Sequence, residues 1–221
     1  MWDRHKISVF ILMQSQQEFR ETRNELVSKL NELDKFIIEV ISRHLQIVSE
    51  KLDSIVLFLR KITQPPLTVG IPPEHLKDLE ELEDQRSHIK KISRDILDLK
   101  EGKKKRFMTN NLMKILGSLK DSSQSGFRKL LLKSDKRELF LLEWFDENVE
   151  NDYLKYKKSA DSVLEYIAKL GIKSNGFPED LEKIKADNAI IANSFGIVVE
   201  VCRETRKKVE EKFEETLKKI S

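Results

Sequence analysis

Four histidines, one cysteine and a few clustered carboxylates are the side chains of this sequence suited to metal binding, nucleophilic attack or proton transfer. Their spacing favours none of these. His5, His44, His75 and His88 are far apart, and none lies three residues after a glutamate, as a di-iron helical bundle requires. A single cysteine, Cys202, excludes paired zinc cysteines and an internal disulfide. Its setting in the run Ile197-Val198-Val199-Glu200-Val201-Cys202 reads as a small buried residue rather than a nucleophile. Glu143, Glu147 and Glu150 share a helix face, a spacing that suits a hard cation but more often pairs with lysine. Ser122, Ser123 and Ser125 have no base nearby in sequence and fit turn chemistry. Gly102-Lys103 lacks the upstream glycine and following hydroxyl of a phosphate-cradling loop. The expectation is a chain with no catalytic residue, no cofactor, no metal and no small-molecule substrate.

Charge carries more information than these side chains do. The net charge of +3 hides an uneven distribution: residues 102–137 hold 11 Lys and Arg against 2 Asp and Glu, whereas the remainder holds 30 against 36. Lys103, Lys104, Lys105, Arg106, Arg128, Lys129, Lys133, Lys136 and Arg137 are therefore candidate phosphate-binding residues, acting by Coulomb attraction and counterion release. A helix, a Ser-Gly turn and a second short helix in this segment give the outline of a helix-turn-helix, which any small helical domain also supplies. An anionic membrane surface is a weaker alternative. The bland alternative is internal pairing with Glu143, Asp146, Glu147, Glu150 and Asp152, or an acidic protein partner.

Helices must position all of these groups. From about Gln16 to Thr63 the apolar residues step by three and four: Leu26, Leu30, Leu33 and Ile37, then Ile41, Leu45, Val48, Leu52, Ile55, Leu59 and Ile62. The extra four-residue step between the two sets reads as a stutter. Such a helix spans roughly 70 Å at 1.5 Å per residue, against a radius of gyration near 17 Å for a compact chain of this length, so the spacing predicts an elongated molecule or a kink. His44, between Ile41 and Leu45, is expected at the partly exposed flank of the stripe. Ile7 to Met13 reads as a buried helical lead-in, with too little apolar length to span a membrane.

Four prolines between Gln64 and Pro73 stop the first helix, and Pro72-Pro73 followed by Glu74 suits the start of a second. Leu79, Leu82, Ile89, Ile92, Ile96 and Leu99 give it an apolar face, and Gly102 its end. A longer helix is predicted over Lys136 to Leu170, closed by Gly171 and the Ser174-Asn175-Gly176-Phe177-Pro178 turn. The last helical region runs from Pro178 to Ile220, with a weak point at Gly196.

With 36% charged and 39% hydrophobic residues, seven Gly and five Pro, the composition is that of a helical protein. The predicted fold is all-α: an elongated bundle with a long antiparallel, coiled-coil-like helix pair. Its expected parts are a hairpin over 1–101 broken at 64–73, a basic helical segment over 102–137, and a C-terminal hairpin over 138–221 packing with the preceding helices. The expected function is non-catalytic assembly: Ile41, Leu45, Val48, Leu52, Ile55, Leu59 and Ile62 form a seam that a homodimer partner or another protein's helix covers, because one short helix cannot cover it all. Nucleic-acid association through 102–137 is the second expectation, and an enzyme with a dispersed site the third. The single cysteine and the absence of a membrane-length apolar run place the chain in the cytoplasm as an expectation.

Overall fold

The computed structural model describes residues 4–64, 70–101, 148–172 and 176–219. Four helices occupy them: α1 (Arg4–Thr63), α2 (Pro73–Lys100), α3 (Val149–Lys169) and α4 (Phe177–Lys219). The fold is all-α, and no strand occurs among the described residues. The helix breaks follow local chemistry. α1 ends before the prolines. Pro72 precedes α2 with its carbonyl accepting from the backbone N–H of His75 and of Leu76, both at 3.0 Å, so two of the orphan donors of that first turn are satisfied. After α3, Gly171 takes a φ of +59°, a conformation that disfavours any residue with a Cβ and that commonly ends a helix. Gly196 does not weaken α4, which runs through it without a break.

Two compact units divide these helices. The first takes α1 through Phe36 and α4 from Glu204; the second takes α1 from Ile37, all of α2 and α3, and α4 through Arg203. In the second unit, polar cross-links fix the helix directions. Glu39, Asp53 and Arg60 of α1 meet Lys100, Lys90 and Glu83 of α2, so α1 and α2 are antiparallel. His88 and His75 of α2 meet Asp152 and Ser162 of α3 in descending order, which makes that pair antiparallel too. Tyr156 of α3 reaches Asn188 and Glu150 reaches Arg203 of α4, and Lys61 and Lys51 of α1 reach Asp180 and Asp187. Each neighbour in the cycle α1, α2, α3, α4 is thus antiparallel to the next, the up-down-up-down arrangement of a four-helix bundle.

The core lies among these four faces. α1 supplies Ile37, Ile41, Leu45, Val48, Leu52, Ile55, Val56, Phe58, Leu59 and Ile62; α2 supplies Leu82, Ile89, Ile92, Ile96 and Leu99. α3 adds Tyr156, Ala160, Val163, Leu164 and Ile167, and α4 adds Phe177, Leu181, Ile184, Ile191, Phe195 and Val198. Aromatic pairs join α1 to α4 (Phe58 and Phe177, centroids 5.8 Å apart) and α3 to α4 (Tyr153 and Phe195, 5.5 Å).

The seven seam residues are therefore not an open surface. None exceeds 2% exposure, because α4 as well as α2 lies against this stretch of α1. The expectation of a partner covering the seam counted one covering helix where the chain provides more. Replacing Leu52, 1% exposed, with Ala is expected to cost ~2–5 kcal/mol of stability, while Leu57→Ala at a side chain 57% exposed should stay within ~0.5 kcal/mol. Urea denaturation followed by circular dichroism checks both, and equal midpoints for the two variants would contradict the packing described.

Candidate functional site

Three polar groupings and an open cleft among the described residues are candidates to house chemistry or recognition. The first grouping ties α1 to α2. Asp53 accepts from Lys90 at 2.6 Å and also from Arg86, while Arg60 donates to Glu83 at 2.6 Å. Partial burial works to raise the Asp53 pKa, but hydrogen bonds from Lys90 and Arg86, with their charges, outweigh it and hold the carboxyl below its ordinary range. The hydrogen bond from Arg60 lowers Glu83 in the same way.

The second grouping is at the start of α2. His75 Nδ1 is 3.1 Å from Ser162 Oγ, and the Ser162 hydroxyl donates to Asp78 Oδ2 at 2.6 Å. The His75 ring stacks on Tyr166 with centroids 4.4 Å apart, and the Tyr166 hydroxyl donates to the Gly70 carbonyl at 3.0 Å. A serine, a histidine and an aspartate together are the components of a nucleophilic triad, but the wiring here is different. In a triad the imidazole accepts the hydroxyl proton and the carboxylate orients the imidazole. Here the serine hydroxyl donates its hydrogen bond to the carboxylate, so the contact with His75 is made with Nδ1–H as donor to Oγ. The arrangement clips the first turn of α2 to the last part of α3.

The third grouping lies inside the bundle. Asp187, 3% exposed, pairs with Lys51 at 2.8 Å, and its Oδ2 has no hydrogen-bond partner. Tyr156 donates to Asn188 Oδ1 at 2.5 Å, and Asn188 donates to Asp161 at 3.3 Å. Burial, then the charge of Asp161, pushes the Tyr156 hydroxyl far above its usual pKa, so it acts as a neutral donor. Gln85 Oε1 and His44 Nδ1 are likewise buried without a hydrogen-bond partner. Burial, followed by the Arg43 charge, lowers the His44 pKa.

The cleft is in the first unit. Lys29, Glu32, Leu33 and Phe36 of α1 face Lys208 and Lys212 of α4 around an open space of about 290 Å³. Phe36 is 51% exposed, and the Lys208 ammonium stands 5.9 Å from its ring centroid.

The residues singled out from sequence fall differently. Ile41, Leu45, Val48, Leu52, Ile55, Leu59 and Ile62 come together, in the core. Lys103, Lys104, Lys105, Arg106, Arg128, Lys129, Lys133, Lys136 and Arg137 lie outside the described residues, as do Glu143, Glu147 and the three serines of 122–125. Glu150 bonds to Arg203 at 2.9 Å, and Arg203 also reaches Glu200 at 3.1 Å. Cys202 is buried on α4. Among the described residues no three His, Cys, Asp or Glu side chains are grouped to hold a metal ion, and no helix is long and apolar enough to cross a membrane. Sequence reasoning passed over Ser162 and Asp187, and read Asp78 only as negative charge in the early turns of the second helix. His75 and Asp78 are spaced to share a helix face, but nothing local announces a serine 84 residues beyond Asp78.

Comparison with protein-family models, with curated proteins and with solved structures finds no match for this chain.

The electrostatics predict acid sensitivity with a definite sign. Asp53 and Glu83 are depressed in the fold, so the stability they add is present above the ordinary carboxylate pKa, about 4, and is lost as pH falls through their folded values. A lowered His44 works in the same sense at higher pH: below about 6.5 the unfolded chain gains a proton that the folded chain resists. Urea midpoints are expected to fall between about pH 7 and 5, less so in His44→Gln, and again below about pH 4, less so in Asp53→Asn. A flat wild-type profile would contradict this assignment.

Proposed function

We propose that the chain is a non-catalytic interaction protein that binds a helical segment of another polypeptide or a second copy of itself. The observation that supports this reading is the cleft at Leu33 and Phe36. A large aromatic side chain is left half in water there, beside a second apolar residue and within a concave space, whereas an isolated exposed leucine needs no explanation. The polar groupings of the bundle support it in a second way, since Asp53, His75, Ser162 and Asp187 are engaged in holding helix to helix. The seam from Ile41 to Ile62, closed within the chain, contributes stability to the scaffold and leaves recognition to outer surfaces.

A photo-crosslinking amino acid at position 36 tests the proposal, with the same residue at position 154, also exposed, as the comparison. One dominant adduct from position 36, either a doubled mass or one partner, is the expected result. Equal ladders from both positions, or no adduct together with a monomeric mass at every concentration, would overturn it.

The charge of residues 102–137 favours a second reading, nucleic-acid association. Neutralising Lys103, Lys104, Lys105 and Arg106 should then flatten the slope of log affinity against log salt by up to about 3.6 for duplex DNA, measured by fluorescence anisotropy. Absence of any DNA or RNA binding at low salt, where the electrostatic attraction is strongest, would remove this reading.

A further inference from the structure

We infer that the cleft between α1 and α4 takes an apolar side chain of an acidic amphipathic helix belonging to a different protein. This inference rests on the interaction reading above and specifies its partner. Size is the first argument. Roughly 300–1,000 Å³ is usual for small-molecule pockets, and those pockets enclose their ligands. A space of about 290 Å³, open to water and floored by Leu33 and Phe36, suits one or two inserted side chains of a helix laid along it.

Charge is the second argument. Of the four charged residues lining the cleft, three are lysines: Lys29, Lys208 and Lys212, against Glu32. Each lysine has a partner three or four residues away, Glu32 for Lys29, Glu204 for Lys208 and Glu215 for Lys212. Such exposed pairs are worth little and are readily exchanged for carboxylates of an incoming segment. The ammonium of Lys208 over Phe36 places a cation directly beside the apolar floor, so an acidic residue next to an apolar anchor meets both at once.

The same charges disfavour other occupants. A two-fold dimer through this face would bring two copies of the same lysine-rich lining together, because an isologous contact uses one patch on both subunits, so it gains less from charge than an acidic partner does. A nucleic-acid base stacking on Phe36 would have to displace Lys208 from the ring face it covers.

The test is selection of a randomised helical peptide library on the full chain, followed by anisotropy titration of the enriched peptides. The expected peptides carry net negative charge with apolar residues three and four apart, and bind more weakly as salt rises. Phe36→Ala should weaken them at least tenfold, and Lys208→Glu with Lys212→Glu should do so by a similar factor, with circular dichroism unchanged. Enriched peptides that are neutral or basic, peptides that bind Phe36→Ala as well as wild type, a library that yields no binder, or an oligothymidine that outcompetes the peptides would each overturn the inference. Where position-36 crosslinks persist despite such a result, the interaction reading stands and the acidic partner alone is wrong.

Discussion

Ten apolar side chains of α1 between Ile37 and Ile62 must leave water together, and they cover too much of the helix surface for one neighbour to shelter. A strict alternation of three and four, as in Ile41, Leu45, Val48, Leu52, Ile55, Leu59 and Ile62, marks a narrow stripe that a single antiparallel helix can cover. Val56 and Phe58 widen it, and Phe58 meets Phe177 of α4. The rest of the second unit follows from this requirement. α2 returns along one flank, α4 along the other, and α3 closes the side left between them.

Polar residues on the two flanks of α1 determine which helix goes where. Glu39, Asp53 and Arg60 are separated by multiples of seven and lie on one flank, where they meet Lys100, Lys90 and Glu83 of α2. Lys51 and Phe58, seven apart, lie on the other flank and meet Asp187 and Phe177. Individually the exposed pairs are weak. Their value is comparative: apolar stripes alone would accept several neighbours and registers, while a slipped α2 would place Glu39 or Asp53 without a cation.

Where the information is local, the sequence is readable. The prolines before Pro73, the left-handed Gly171 and the three-four spacing of α1 and α2 each act within a few residues, and the helices end or pack where these features predict, except that Leu33 lines the open cleft and Leu79 is only half-buried. Gly196 was misleading for a related reason: a glycine lowers helix propensity by only about 1 kcal/mol relative to Ala, which packing of Phe195 and Val198 on either side overrides. Coverage of the seam is a long-range property and was not readable. The period of α1 says that a face must be buried, but not that a helix beginning over a hundred residues later does the burying. His75 with Ser162 and Lys51 with Asp187 are hidden for the same cause, because each half of the pair is ordinary in its own segment.

Asp187 shows what such a core contact does for the fold. Its carboxylate is removed from water, with Lys51 on one oxygen and no hydrogen-bond partner on the other. Desolvation at that site offsets much of the Coulomb attraction, so the pair is a poor source of net stability compared with two well-packed apolar residues. It penalises alternatives far more. Rotating α4 by one position, or exchanging α4 with α2 against α1, would leave a buried carboxylate without its ammonium, a cost that apolar packing elsewhere would have to exceed. The hydrogen bond between Tyr156 and Asn188 imposes the same condition from α3, one residue along α4. These two contacts at adjacent positions hold α4 to α1 and to α3 at one level, so the polar part of the core selects the arrangement that the apolar part stabilises.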